Sequence, residues 1–243
     1  MLFRSNNRKV VALQGFPGIG SVGKILVDYL IKVYKPKKVK QIVTDYLPNI
    51  VFVREKNLIE PAQISIYKKS LDDFDLILLS GNVQPTEDYS AYSVARMIVK
   101  ELTKLNVDEL IAFGGIGLPV EPENPRLFIA GTKEDLIKKL KKKYKLNDSF
   151  GTVTHISGLA GLVPMFSEQK GISSLIIITE TFANPFYIGV PGARSFLQFL
   201  NKYLKLKLSL SSFDREFKTI KPKKEKKTSP QALNEVSDLT YIG

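Results

Sequence analysis

The chain of 243 residues has no cysteine and no tryptophan, and His155 is its one histidine. Without cysteine there is no disulfide, no thiolate nucleophile and no cysteine-bound zinc. A lone imidazole leaves a His-rich metal site, and most Ser-His relays, resting on a single side chain. No apolar run approaches the roughly 18 residues of a membrane span. The opening "MLFRSNNRKV" has no apolar centre of the kind a signal peptide needs. The expectation is therefore a cytoplasmic protein with no membrane partner.

What is there suits a globular protein. The hydrophobic share is 44%, and the length fits one large α/β domain, or a domain of about 200 residues with an appendage. The formal charge of +12 points to an acidic partner or to a lysine-coated surface. The second is favoured, and nucleic acid is not an expected partner. The basic runs Lys35-Pro36-Lys37-Lys38 and Lys141-Lys142-Lys143 carry few of the interleaved aromatics that stack on bases.

Patterning predicts a buried strand in "KVVALQG", then a helix from Val22 carrying Ile25, Leu26, Tyr29, Leu30 and Val33 to the Lys35-Pro36 breaker. "VKQIVTDY" reads as a second strand. "IVFVRE", "AQISIY" and "DLILLSG" follow with connections too short for helices, and so read as a meander. A long helix is predicted over Ser90 to Leu105. Strands "DELIAFGG", "PRLFIAG" and "SSLIIITET" follow, with helices in "TKEDLIKKLKKKY", N-capped by Thr132, and "GARSFLQFLNKYL"; "ISGLAGLVPMF" reads as helix or loop. The fold class is α/β, a layered sheet flanked by helices and largely parallel or mixed. The domain is expected over 1–210. Residues 211–243 read as a solvated, lysine-rich linker followed by a tail that regains Leu233, Val236, Leu239, Tyr241 and Ile242. Such a tail either docks on a partner or folds back on its own domain.

"GFPGIGSVGK", Gly15 to Lys24, is the stretch richest in meaning. Gly18, Gly20 and Gly23 spell the dinucleotide fingerprint G-x-G-x-x-G, and Asp45 lies roughly 20 residues on, where a ribose-binding acid belongs. Gly18, Gly23 and Lys24 also spell most of a phosphate-binding loop. Against the first reading, Phe16-Pro17 separates strand from fingerprint, Pro17 offers no N–H to an anion, and the following meander is not a βαβ unit. Against the second, Ile25 stands where a magnesium-binding hydroxyl is needed. The favoured reading is architectural: Gly15, Phe16, Pro17, Gly18, Gly20 and Gly23 form a sharp strand-to-helix turn with close backbone packing. The alternative is a nucleotide- or nucleoside-binding enzyme built on Gly18–Lys24.

Other candidates carry less. His155 shows no acid or nucleophile at a telling spacing and reads as structural. Glu87-Asp88 and the Glu121, Glu123 pair suit magnesium, or simply solvent and a helix start. The glycines of "FGGIGLP" suggest a second close-packed turn at the carboxyl edge of the sheet, where open α/β folds bind ligands.

"ALQGFPGIGSVGKILVDYLI", "LLSGNVQPTEDYSAYSVARMIV", "IAFGGIG" and "ISGLAGLVP" together resemble the proteasome assembly chaperone family, in its archaeal homologues of proteasome assembly chaperone two. The resemblance spans Lys9 to Leu204; "GFPGxGxVG" is its most specific part and "GNVQP…Y" the next. It implies a nucleoside-phosphorylase-like α/β fold without the catalytic residues, no enzymatic activity and no cofactor or metal. It further implies a homo-oligomer that binds the α-subunits of the 20S proteasome. Some archaeal members end in a hydrophobic-Tyr-any motif that inserts between neighbouring α-subunits, adding an apolar contact, a tyrosine and a terminal carboxylate to a lysine-containing pocket. By that resemblance the partner-binding residues here are Leu239, Thr240, Tyr241, Ile242 and Gly243. Tyr241 stands third from the end where the family pattern has it second, which displaces the carboxylate by about 3.5 Å.

Overall fold

Strand β1 (Val10–Gly15) leads through a 3-10 turn, Ile19–Ser21, into helix α1 (Val22–Tyr34). Then come β2 (Lys37–Ile42), β3 (Val51–Val53), β4 (Ile59–Pro61), β5 (Ile64–Ser70), β6 (Asp75–Gly81), α2 (Asp88–Lys104) and β7 (Glu109–Leu118). The chain closes with β8 (Leu127–Gly131), α3 (Glu134–Tyr144), β9 (Asn147–Asp148), α4 (Leu159–Glu168), β10 (Ser173–Phe182), α5 (Val190–Tyr203) and α6 (Leu210–Phe217). This is a computed structural model and describes residues 8–218.

The main sheet runs β2-β5-β6-β1-β7-β10-β8-β9. Its centre, β6, β1, β7 and β10, is parallel, while β5, β2 and β8 join antiparallel. Central strands covered on both faces must be apolar almost throughout, and β1 meets that demand. Val11 and Leu13 pack under α1, α5 and α6, whereas Val10 and Ala12 pack under α2 and α4. The layered α/β architecture expected from the patterning is what forms.

Three expectations need correction. The stretch "IVFVRE" does not enter the meander: β3 pairs only with β4, in a separate two-stranded ribbon between β2 and β5. Thr132 does not cap α3, whose N-cap is Lys133. Its hydroxyl donates instead to Glu168 Oε2 at 2.6 Å. The expected linker does not begin at residue 211, because α6 runs to Phe217 and carries Phe213, which is fully buried. Burying that ring is worth about 1.5–3 kcal/mol, and it meets Tyr29 edge-on at 4.8 Å between centroids. An eight-residue helix has little stability alone; this one exists because Phe213 and Phe217 dock on α1.

The basic runs also find structural positions. Lys37, Lys38 and Lys40 lie on β2, an edge strand of the sheet, where charged side chains discourage pairing with another chain's edge. Lys141, Lys142 and Lys143 fill the last turn of α3, the end of a helix that favours cations.

Candidate functional site

The glycine turn is built by close approach. A Cβ on Gly15 would fall inside the carbonyl group of Gly23, and one on Gly23 would stand 2.6 Å from the Phe113 carbonyl oxygen. Helix α1 thus rests directly on the backbone of β1 and β7. Gly20 has φ +62°, and a Cβ there would also strike the Thr181 hydroxyl. Gly18 differs: its backbone is extended (φ −174°), and a Cβ would meet nothing nearer than Gln84 Nε2 at 3.9 Å. Phe16 is buried in the same core cluster as Ile64 and Leu79, and the Pro17 carbonyl accepts from Gln84 Nε2.

Beyond the end of β1 the neighbouring strands continue. Gly15 pairs with Phe113, and β7 and β10 run on together from Gly114↔Ile178 to Leu118↔Phe182. The projecting "GGIG" of β7, the turn after β1, the start of α1 and the segment before α4 enclose a cleft of about 300 Å³. This is the carboxyl edge of the parallel strands, the customary ligand position in open α/β sheets. Its lining includes no Asp, Glu, Lys or Arg. The clamp that shapes it is Gln84, whose Oε1 accepts from the Leu159 N–H at 3.1 Å while its amide nitrogen holds Pro17.

The residues of the nucleotide reading are not brought together. Asp45 follows β2, which lies beyond β5 and β6 from β1 and runs antiparallel to β5. A dinucleotide fold needs that acid on a strand beside β1. The Lys24 ammonium pairs with Asp28 at 2.6 Å, and Asp28 in turn accepts from the Ser80 hydroxyl. His155 stands exposed on the cleft rim with the Thr154 hydroxyl 3.0 Å from Nδ1. Glu121 accepts from the Tyr187 hydroxyl at 2.7 Å; burial, then this carboxylate, push that phenol well above its ordinary value. Among the described residues no cluster of three His, Cys, Asp or Glu side chains is placed to hold a metal ion. No helix among them is long and apolar enough to cross a membrane.

The sequence matches the PAC2 family over residues 12–227. The chain belongs to that family. The resemblance carried by "GFPGxGxVG" and "GNVQP" is therefore borne out. This PAC2 chain is 27% identical to an uncharacterized protein of Methanocaldococcus jannaschii, covering 95% of this chain and 91% of that one. Its structure is similar to Pyrococcus furiosus PbaB, an archaeal proteasome activator, with TM-score 0.80 and 27% identity over 89% of this chain and 92% of the other. Pyrococcus furiosus PbaA, an archaeal homolog of proteasome-assembly chaperone, shares the fold with TM-score 0.71 and 21% identity, over 88% of each chain.

Sequence reasoning missed Gln14 and undervalued Gln84 in the PAC2 cleft. A glutamine closing the apolar run "VVAL" is the available signal, since a central strand has no ordinary use for it. Its Nε2 donates to the Leu159 carbonyl at 2.8 Å. Leu239, Thr240, Tyr241, Ile242 and Gly243 lie outside the described residues.

Proposed function

We propose that this chain is a non-enzymatic proteasome assembly chaperone or activator that binds α-subunits of the 20S core particle, partly through Leu239–Gly243. The observation that carries the reading is the likeness to PbaB, a proteasome activator, along 89% of the chain. The chemistry of the cleft supports it. Among the described residues the cleft lining holds no carboxylate, lysine or arginine, and the Thr154 hydroxyl stands beside His155, so these residues present no acid–base pair to run a hydrolytic or transfer reaction.

The protein acts in the cytoplasm as a homo-oligomer in this reading. Val51, Val53, Leu58 and Ile59, each more than 60% exposed on the β3–β4 ribbon, supply an apolar surface of the kind that copies of a chain cover. Several tails on one oligomer then convert weak contacts into avidity.

Co-sedimentation with recombinant 20S particles tests this directly. The full chain is expected to sediment with the particle, and the chain ending before Leu239 to lose at least about tenfold in apparent affinity. Equal retention of both removes the tail from the reading. Retention of neither removes the proteasome.

A further inference from the structure

Strand β2 ends the sheet on one side, and among the described residues no strand covers its outer flank. It pairs with β5 alone, and Lys37 to Gln41 are all exposed. The free N–H and C=O groups of such a strand are a template for one more. Beside it, Lys40, Ile42 and Val43 line a groove of about 250 Å³ together with Met97 and Lys100 of α2. Ile42 and Met97 make its walls partly apolar, and the two lysines make it basic. Lys37, Lys40 and Lys100 have no ion-pair partner among the described residues.

Charge selects the occupant. A second copy of β2 would bring the same lysines and be repelled, so the strand that fits is acidic and apolar. The chain carries one. Residues 228–243 include Glu235 and Asp238 and no Lys or Arg, and Leu239-Thr240-Tyr241-Ile242 has the composition that strands favour. The route to β2 is short. Helix α6 delivers the chain beside the last turn of α1, where Phe217 meets Tyr29 and Glu216 pairs with Lys32, and α1 passes into β2 through Lys35-Pro36. Residues 219–232 span up to about 45 Å when extended, more than the roughly 20 Å length of such a strand. We propose that residues 233–242 dock on β2 of the same chain as an added strand, with Glu235 and Asp238 set against the groove lysines. A tether of this length holds its end at an effective concentration on the order of mM, so pairing that is weak by itself suffices. The docking concerns this chain alone; only its consequence, that a docked Tyr241 is withheld from the proteasome, rests on the reading above.

Because the chain has no cysteine, Ser237→Cys takes a nitroxide label at one place on the full chain. At low salt the label should weaken the amide NMR signals of Lys37 to Val43 and of Lys100 at least about twofold. Gly131, on β8 toward the opposite side of the sheet, should be unaffected. Reversing the tail charge, Glu235→Lys with Asp238→Lys, keeps the tether and should remove the effect. Adding Lys38→Glu and Lys40→Glu should restore it. Val236→Pro with Leu239→Pro should also remove it, since at odd spacing the two N–H groups point to opposite edges and one must face β2. The proposal is overturned if the β2 signals are untouched, if the reversed tail weakens them equally, if the exchanged charges do not restore the effect, or if the prolines change nothing. It is overturned as well if the effect is undiminished between a labelled chain and a separate isotope-enriched chain without label, for the tail then belongs to another copy. These readouts need no 20S particle, so failure here and failure of co-sedimentation are told apart.

Discussion

The two ends of the same parallel strands are built on opposite principles. At the amino ends of β1, β6 and β7 the chain concentrates charge and matches it. Lys9 pairs with Glu109 at 2.5 Å, the Tyr203 hydroxyl donates to the same carboxylate, and Asp75 lies between Lys68 at 2.8 Å and Arg8 at 3.1 Å. At the carboxyl ends of β1 and β7 the cleft lining holds no Asp, Glu, Lys or Arg, and what shapes it is the close backbone packing of the glycine turn. One end is therefore held by ion pairs and the other by backbone lying on backbone. The contrast fits the general division in α/β sheets, where loops at the carboxyl edge carry function. It also relocates the meaning of the glycine turn, which shapes the cleft without supplying it a charge.

The largest effect is expected where backbone touches backbone. Gly15→Ala forces α1 away from β1, because the Gly23 carbonyl occupies the space of the new methyl. A loss on the order of 3 kcal/mol or more is expected, equivalent to a fall in Tm of about 6–12 °C. Gly18→Ala, with nothing nearer than 3.9 Å, should stay within about 0.5 kcal/mol of the parent. A nucleotide fingerprint would assign the two glycines the reverse importance, since Gly18 opens it and Gly15 lies outside it. Thermal unfolding of the two variants decides between the readings.

How much of this was legible depended on whether the cause was local. Strands β1 and β10 show themselves as apolar runs, since burial on both faces writes itself into every residue. The turn was legible as a turn, since its glycines answer a demand of backbone geometry. Helix α6 was hidden, because a short charged segment holding Phe213 and Phe217 looks like linker until Tyr29 is known to await them. Likewise nothing near Asp45 in the sequence reveals that β5 and β6 stand between its strand and β1. The cleft itself was only half visible: "FGGIG" marked its place, while His155 read as structural, and its size comes from β7 and β10 outrunning β1, a matter of register.

At the amino edge Glu109→Leu should cost about 2–3 kcal/mol, because the Tyr203 hydroxyl loses its acceptor in a place from which water is largely excluded. Burial, followed by Glu109 itself, raises that phenol far above its ordinary value, so it stays a donor across the working pH range. Glu109→Gln keeps an acceptor for Tyr203 and gives up the attraction to Lys9, which is half exposed. Its cost should be no more than about 1 kcal/mol. Chemical denaturation of both variants measures the difference. If Gln proves as damaging as Leu, it is the ion pair and not the phenol contact that holds this edge.

The smallest effect distinguishes the two ends by pH. The hydrogen bond from Lys68, helped by Ser70 and by the charge of Arg8, holds the Asp75 carboxyl below its usual range, against the opposing pull of desolvation. A carboxylate with a depressed pKa in the folded state adds stability above its unfolded pKa and loses it as the pH falls through the folded value. Asp75→Asn should therefore be less stable than the parent near neutrality, by under about 1 kcal/mol given that both cations are partly solvated. The difference should shrink to nothing as the pH drops below about 4. Gln14→Met, which exchanges one uncharged side chain for another at a buried position, should instead differ from the parent by an amount that does not change over the same range. Urea midpoints collected from neutral to acid pH read both at once. A constant offset for Asp75→Asn, or a sloping one for Gln14→Met, would mean that the ends of the sheet do not divide charge in the way their contacts imply.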